Sequence, residues 1–416
     1  MNLFDEFQWR GMVYGATEGT QEMLANERVT CYIGFDPTAS SLHVGSLLPI
    51  MALARLQRFG HSPIALVGGG TGMIGDPSGK SQERTLLSIE EIDANARGMR
   101  AQLERFLDFD APSNPARMMN NAEWLRTVGL LEFLRDTGKH FTVNYLLAKE
   151  SVKRRLGSED GISFTEFSYS LLQAHDFLHL YRVARCTLQM GGSDQWGNIV
   201  AGCDLIRKVA DGRAHGLVLP LVTTSAGTKF GKTEAGTVWL DPARTSVRDF
   251  YQFWLNTDDR DVIKYLKFFT FLDRAVIEEL QASVERDAAS RVAQRRLADE
   301  VTRLVHGETA VTHAQSDAAL RFGGALTAEA LQQVTPSAVI ARQRFVDGLP
   351  ATELLMLAGV SKSKSEAFRL IEQGGVAIND AAVTDPRSLV SLEQALGNRL
   401  KVARGKRNVV VVEITP

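Results

Sequence analysis

The chain has 416 residues, 44% of them hydrophobic and 23% charged, the balance of an ordinary globular protein and not of a disordered or collagen-like one. At about 150 residues per domain, this length leaves room for two or three domains. Its 47 basic and 49 acidic side chains leave a formal charge of −2, so no global field draws the chain to nucleic acid or membrane. Cys31, Cys186 and Cys203 share no metal-ligand spacing, which speaks against a disulfide scaffold or zinc site and for a reducing compartment. The segment from Met1 to Glu6 is acidic where a targeting signal is basic. No stretch approaches the roughly 18 apolar residues of a membrane span. A soluble cytoplasmic protein without membrane contact is expected.

The first half alternates strand-like and helix-like runs, the pattern of a parallel sheet covered on both faces. Residues 29–35 are rich in β-branched and aromatic side chains, a helical run follows from about Val44 to Phe59, and Pro63 to Val67 is a short apolar strand entering a glycine cluster. Ser88 and Glu91 have capping-box spacing ahead of an amphipathic helix carrying Ile92, Met99 and Leu103. From about 245 to 330 the strand signals fade and segments 251–255, 261–272 and 275–305 look helical. A weakly patterned stretch near 320–345 leads to a last unit. From residue 360 onward nine basic side chains face six acidic ones, and Lys401, Arg404, Lys406 and Arg407 fall close together. Such a module suits a phosphate backbone, or is simply a solvated surface.

Three motifs carry the chemistry. Gly70, Gly72 and Gly75 follow a strand with the spacing of a dinucleotide fingerprint, which points to an NAD-dependent oxidoreductase. Asp76-Pro77-Ser78-Gly79 then interrupts the helix that such a fingerprint opens. Gly79-Lys80-Ser81 ends like a nucleoside-triphosphate loop, but the first glycine of that motif is replaced by Ile74. What remains is a glycine-rich turn with two cations, Lys80 and Arg84. Second, His43-Val44-Gly45-Ser46 places an imidazole where a loop becomes a helix, so backbone N–H groups face an anion. Third, Lys229-Phe230-Gly231-Lys232-Thr233 sets two cations three residues apart in a glycine-containing loop. His175 and His179 lie four apart on a helix but lack a third ligand, so they are read as packing or surface residues; no metal site is expected.

In this order the segments resemble a class I aminoacyl-tRNA synthetase, and more narrowly the bacterial-type tyrosine–tRNA ligases. His43 to Ser46 resembles the HIGH signature and Lys229 to Thr233 the KMSKS loop in its K-F-G-K-T form. Gly75 to Lys80, Phe167 to Asp176 and Gly191 to Asn198 also fit that family. The resemblance implies a Rossmann-like parallel-sheet catalytic domain (1–220), a KMSKS-type loop with an α-helical anticodon-binding domain (221–330), and a small ribosomal-protein-type α/β RNA-binding module (346–416). It implies L-tyrosine, ATP and tyrosine tRNA as partners, magnesium carried by the ATP phosphates, no prosthetic group, and a homodimer.

By the same resemblance, His43, Thr38, Lys80, Arg84, Lys229, Lys232 and Thr233 stabilise the adenylation transition state. Thr38, His43, Gly45, Ser46, Gly192, Asp194 and Lys232 bind ATP, with Gly192 and Asp194 at the ribose. Tyrosine is held by Tyr32, Gly34, Asp36, Asp76, Tyr169, Gln173, Asp176 and Gln195, with Tyr32 and Asp176 on the phenol. Tyr32 and Asp176 also argue against the tryptophan–tRNA ligases, the alternative inside the class. A catalytically inactive RNA-binding relative is a further alternative, hinted at by Ser46 where the HIGH signature ends in a second histidine. The hydroxyl is shorter than an imidazole and carries no charge, so a weaker grip on ATP is expected. Asn379-Asp380 stands where the RNA-binding module often turns at Asn-Gly, which predicts local strain with the fold kept.

Overall fold

β-Branched and aromatic runs pair where both faces of a sheet can be covered, and the first half of the chain does this. In the computed structural model, strands β1 (Gly15–Ala16), β2 (Thr30–Phe35), β3 (Ser62–Val67), β4 (Arg117–Asn120), β5 (Cys186–Gly192) and β6 (His215–Leu219) form one sheet in the order β1-β6-β5-β2-β3-β4. All pairings are parallel except β1 with β6. The structure describes every residue except 1, 77, 79–87, 158–160, 228–229, 234–235, 323–325, 335 and 406–407; for 232–233 and 319–322 it describes the backbone alone.

The chain forms two compact bodies, one of Met1–Ser246 with Gln252–Val305, the other of Val247–Tyr251 with His306–Pro416. In the first, the helix Leu47–Arg58 follows a single 3-10 turn at Val44–Ser46, and nine of its twelve residues are buried, so it is an interior helix. The Ile89–Leu103 helix has the expected capping box, Ser88 accepting from the Glu91 amide while Glu91 accepts from that of Ser88. Phe164–Ala184 and Trp196–Ala210 cover β5 and β6, with Phe177, Leu180, Leu205 and Ile206 fully buried between them. Beyond the sheet the same body carries the helices Asp259–Phe269 and Arg274–Arg286.

The second body contains a five-stranded sheet whose longest strands, Arg399–Arg404 and Asn408–Thr415, form an antiparallel pair. The helices Ala351–Leu357 and Lys364–Glu372 close its core through Leu354, Leu355, Ala367 and Ile371. This sheet reaches back into the weakly patterned stretch: Ala338–Ala341 pairs in parallel with Asn408–Thr415, an edge strand too short to announce itself. Asn379 and Asp380 both take left-handed backbone, φ 47° and 64°, as a two-residue hairpin demands. Among the described residues no helix is long and apolar enough to cross a membrane.

Candidate active site

In an open parallel sheet, ligands bind beyond the carboxyl ends of the strands where the strand order reverses, here between β2 and β5. A cavity of about 160 Å³ opens there, lined by Tyr32, Gly34 and Asp36 from β2 and the turn after it, Gln189 to Gly192 from β5, and Tyr169, Gln173 and Asp176 from the helix Phe164–Ala184. A wider cavity of about 520 Å³ adjoins it, lined by Thr38, His43, Gly45, Ser46 and Trp239. The two share Gly34, Phe35, Asp36 and Pro49.

The smaller chamber is built from buried polar groups. Asp176, 2% exposed, accepts from the Trp124 indole N–H at 2.7 Å and from Asn121 Nδ2 at 2.8 Å. Burial pushes its carboxyl up to about 7 against the pull of those two donors. Asn121 in turn receives the Gly70 amide at 2.7 Å and donates to Thr71 Oγ1 at 2.9 Å, so the glycine cluster positions the group that positions Asp176. Tyr32 is 1% exposed and Gln189 is 2% exposed; they are register neighbours on β2 and β5, and among the described residues no group bonds the Tyr32 hydroxyl or Gln189 Oε1. Burial first, then Asp176, holds the Tyr32 phenol well above its ordinary pKa, so it stays a donor. Unpartnered buried polar atoms cost about 1–3 kcal/mol each, which marks this chamber as built for a polar ligand.

At its mouth Asp76 accepts from Gln195 Nε2 at 2.7 Å and from the Ser78 amide at 2.8 Å. Burial raises the Asp76 pKa against these bonds. Tyr169 is buried, with a raised pKa caused first by burial, and it hydrogen-bonds Thr71. Gln173 lines the same wall.

In the wider chamber His43 caps the 3-10 turn, its Nδ1 accepting the Gly45 amide at 3.0 Å. A neutral ring so engaged carries its proton on Nε2 and presents a donor. Glycine is required at 45, since a Cβ would lie 2.7 Å from the His43 ring. Gly231 has φ 80° and packs on Val44, a Cβ there falling 2.6 Å from Val44 Cγ2; the Val44 amide donates to Val238 O and the Val238 amide to Gly231 O, both at 3.0 Å. Gly231 is thereby seated against Val44 of the segment 43–46, although the two are nearly 190 residues apart. Lys80, Arg84 and Lys229 lie outside the described residues, as do the side chains of Lys232 and Thr233. Asp194 follows Gly192 at the end of β5 in a 3-10 turn, on the exposed rim.

Several participants have no motif in the sequence. Asn121, Trp124 and Gln189 surround Asp176 or Tyr32 but come from a turn, a short helix and a strand interior. Lys149 donates to Gly197 O at 3.0 Å and to Ser170, and burial lowers its ammonium pKa to about 8. Trp239 packs edge-on against His43, ring centroids 6.0 Å apart.

Two expectations change. Among the described residues Gly70, Gly72 and Gly75 do not open a helix: residues 71–73 make one 3-10 turn and the next described helix is Ile89–Leu103, so the dinucleotide reading falls. In the C-terminal sheet Lys401 is 5% exposed and paired with Asp380 at 2.7 Å, and Arg404 bonds Glu366 at 3.3 Å, so neither is the unpaired surface cation that the charge run suggests. Lys406 and Arg407 lie outside the described residues. His175 bonds Thr137 at 2.9 Å and His179 stacks on Trp124.

The comparisons with known proteins agree with this geometry. The family model described as tRNA synthetases class I (W and Y) matches residues 24–323, and the S4 domain model matches 354–396. A tyrosine–tRNA ligase of Roseiflexus castenholzii is 52% identical over 420 residues, covering 99% of each chain. One of Bacillus caldotenax is 50% identical over 425 residues, also covering 99% of each. The crystal structure of a C-terminally truncated Aspergillus nidulans mitochondrial tyrosyl-tRNA synthetase superposes with a TM-score of 0.70 at 31% identity, covering 76% of this chain and 93% of that one. With its parallel sheet, its two adjoining chambers and these relatives, the chain belongs to the class I tRNA synthetases, in the branch that holds the tyrosine–tRNA ligases.

Proposed function

We propose that this chain attaches L-tyrosine to its tRNA in two ATP-driven steps. The tyrosine carboxylate attacks the α-phosphate of ATP, pyrophosphate leaves, and a hydroxyl of the terminal adenosine of the tRNA then takes the tyrosyl group and releases AMP. The observation that carries this reading is the Tyr32 hydroxyl, buried and unbonded among the described residues, lining the small chamber with Asp176. A ring bearing a hydroxyl satisfies both groups; phenylalanine satisfies neither. The relatives at half identity support the tyrosine reading over tryptophan.

Asp76, Tyr169 and Gln173 take the α-ammonium, Gln195 lies toward the carboxylate, and Gly34 and Asp36 line the passage between the chambers. The carboxylate is already a nucleophile, so the first step needs positioning and charge neutralisation and no general base. Thr38 and His43 meet the polyphosphate, Gly45 and Ser46 shape its seat, and Gly192 and Asp194 hold the ribose. Lys80, Arg84, Lys229, Lys232 and Thr233 stabilise the charge that grows on the phosphoryl group. Magnesium arrives with ATP.

The division of labour proposed is a catalytic part (1–220), a loop and helical anticodon-binding part (221–330) and an RNA-binding module (346–416). In the module, the exposed Lys362, Lys364 and Arg369 offer cations to a phosphate backbone. Exposed Leu130, Leu131 and Phe164, 71–80% accessible, supply an apolar surface that a second copy covers in a homodimer. The free cysteines suit the cytoplasm. Amino-acid-dependent exchange of labelled pyrophosphate into ATP tests the reading. Tyrosine drives the exchange; exchange driven equally by tryptophan or phenylalanine, or none with any amino acid, overturns it.

A further inference from the structure

Arg55 sits on the helix Leu47–Arg58, away from the residues lining both chambers, and is 2% exposed. A buried guanidinium needs acceptors, and Arg55 finds them at the end of another helix, Asp259–Phe269. It donates to Lys267 O at 3.0 Å, to Phe268 O at 2.9 Å and to Thr270 O, carbonyls that a helix terminus leaves without partners inside the helix; Arg10 shares Lys267 O and Thr270 O, and Phe268 O is bonded by Arg55. Between those carbonyls stands Phe269. Its ring stacks on Phe230 with centroids 5.4 Å apart and planes 9° from parallel, and Phe230 also meets Trp254 at 5.7 Å and Tyr265 at 5.0 Å. Phe230 is 5% exposed and precedes Gly231, which rests on Val44. Val44 lies just ahead of the helix that carries Arg55.

The contacts therefore close a circuit: the helix behind His43–Ser46, Arg55, the carboxyl end of Asp259–Phe269, Phe269, Phe230, and back to Val44 through Gly231. We propose that Arg55 is a positioning residue for adenylation, fixing Phe230 and Gly231 against the segment 43–46 through Phe269. Neither Arg55 nor Phe230 lines the chamber of Tyr32 and Asp176. The circuit thus acts on the phosphate side of the reaction and leaves tyrosine recognition alone. This inference rests on the reading of the site as a tyrosine-activating one.

The test compares Arg55→Met, Arg55→Lys, Phe230→Leu and the double variant Arg55→Met/Phe230→Leu in the full-length protein. Tyrosine affinity is measured by fluorescence titration, and the single-turnover rate of adenylate formation by stopped flow. Misplacing a loop by about 1 Å costs on the order of 10²-fold in rate, so Arg55→Met and Phe230→Leu each lower the rate by that order. Tyrosine affinity stays within about twofold of the natural protein. Arg55→Lys, keeping one charged donor for the three carbonyls, recovers part of the rate. The double variant is no slower than the slower single variant, because both changes break one circuit. Natural rates in folded variants, a matching loss of tyrosine affinity, or multiplying losses in the double variant overturn the proposal. If Arg55→Met does not fold, Phe230→Leu and Arg55→Lys decide by the same measures. A natural protein without tyrosine-dependent exchange overturns the functional reading itself, and the circuit's role with it.

Discussion

The two chambers solve opposite problems with similar residue types. The small one is narrow and its donors and acceptors are fixed by one another: Gly70 orients Asn121, and Asn121 with Trp124 orients Asp176. The wide one is roomier, and its polar groups come from turns, with the His43 ring accepting the Gly45 amide and meeting Trp239 edge-on, and Gly231 resting on Val44. The first arrangement discriminates between ground states, because a wrong ligand leaves buried polar atoms unpaired. The second suits a charge that appears only in the transition state, where the groups need to converge at one moment. Rigidity thus accompanies choice, and looser construction accompanies chemistry.

Asp176→Asn breaks this contrast most strongly. The amide no longer offers a charged acceptor to a phenol, and it cannot accept from both Trp124 and Asn121 through two oxygens. A loss of about 4 kcal/mol, on the order of 10³-fold in tyrosine affinity, is expected, with the preference over phenylalanine falling alongside. Calorimetric titration with both amino acids checks it, and unchanged selectivity would remove Asp176 from this role.

Gly231→Ala attacks the other chamber alone. The Cβ meets Val44 and the positive φ strains any side chain, so adenylate formation drops by on the order of 10²-fold while tyrosine affinity holds. Equal damage to both would show that the chambers are not separable.

Acidity sharpens the comparison. Burial holds the Asp176 carboxyl up to about 7, and a phenol that donates to it prefers the ionised form. Tyrosine binding then releases a proton below that pH, so affinity falls by up to about tenfold per pH unit as the pH drops below 7 and levels off above it. Asp176→Asn removes the slope. The empty protein's stability runs the other way: between about pH 4 and 7 the native carboxyl keeps a proton that the unfolded chain has released, so stability declines as the pH rises through that window. Titrations and thermal melts across pH 5 to 8 read both slopes.

The mildest change is Ser46→His. Ser46 lines the wide chamber, and an imidazole there adds a donor toward phosphate. Adenylate formation is expected to rise roughly threefold to tenfold, with tyrosine affinity unchanged; a large loss would show that the serine is itself the fitted group.

Local signals made much of this legible in one dimension. The capping box at Ser88 and Glu91 and the strand from Pro63 to Val67 follow from residue spacing, since helix caps and short apolar runs depend on near neighbours. The segments around His43, Asp76, Asp176 and Gln195 stand out because their residue types are unusual together. Asn121, Trp124 and Gln189 do not stand out, because each is ordinary in its own stretch and gains meaning only from what lies across the sheet. Within the charge run at the end, Lys401 is hidden for the same reason: it counts as a cation in the sequence but is buried and paired with Asp380.

Chain order alone determined the alternation of elements, the turn residues and the pair of distant motifs, because these depend on spacing of a few residues. Tertiary structure alone decided that Tyr32 and Gln189 keep unbonded polar atoms, that Asp176 is raised toward neutrality, and that Gly231 rests on Val44. Burial and close approach are properties of groups brought together across nearly 190 positions, and no local pattern encodes the dielectric that surrounds a carboxylate.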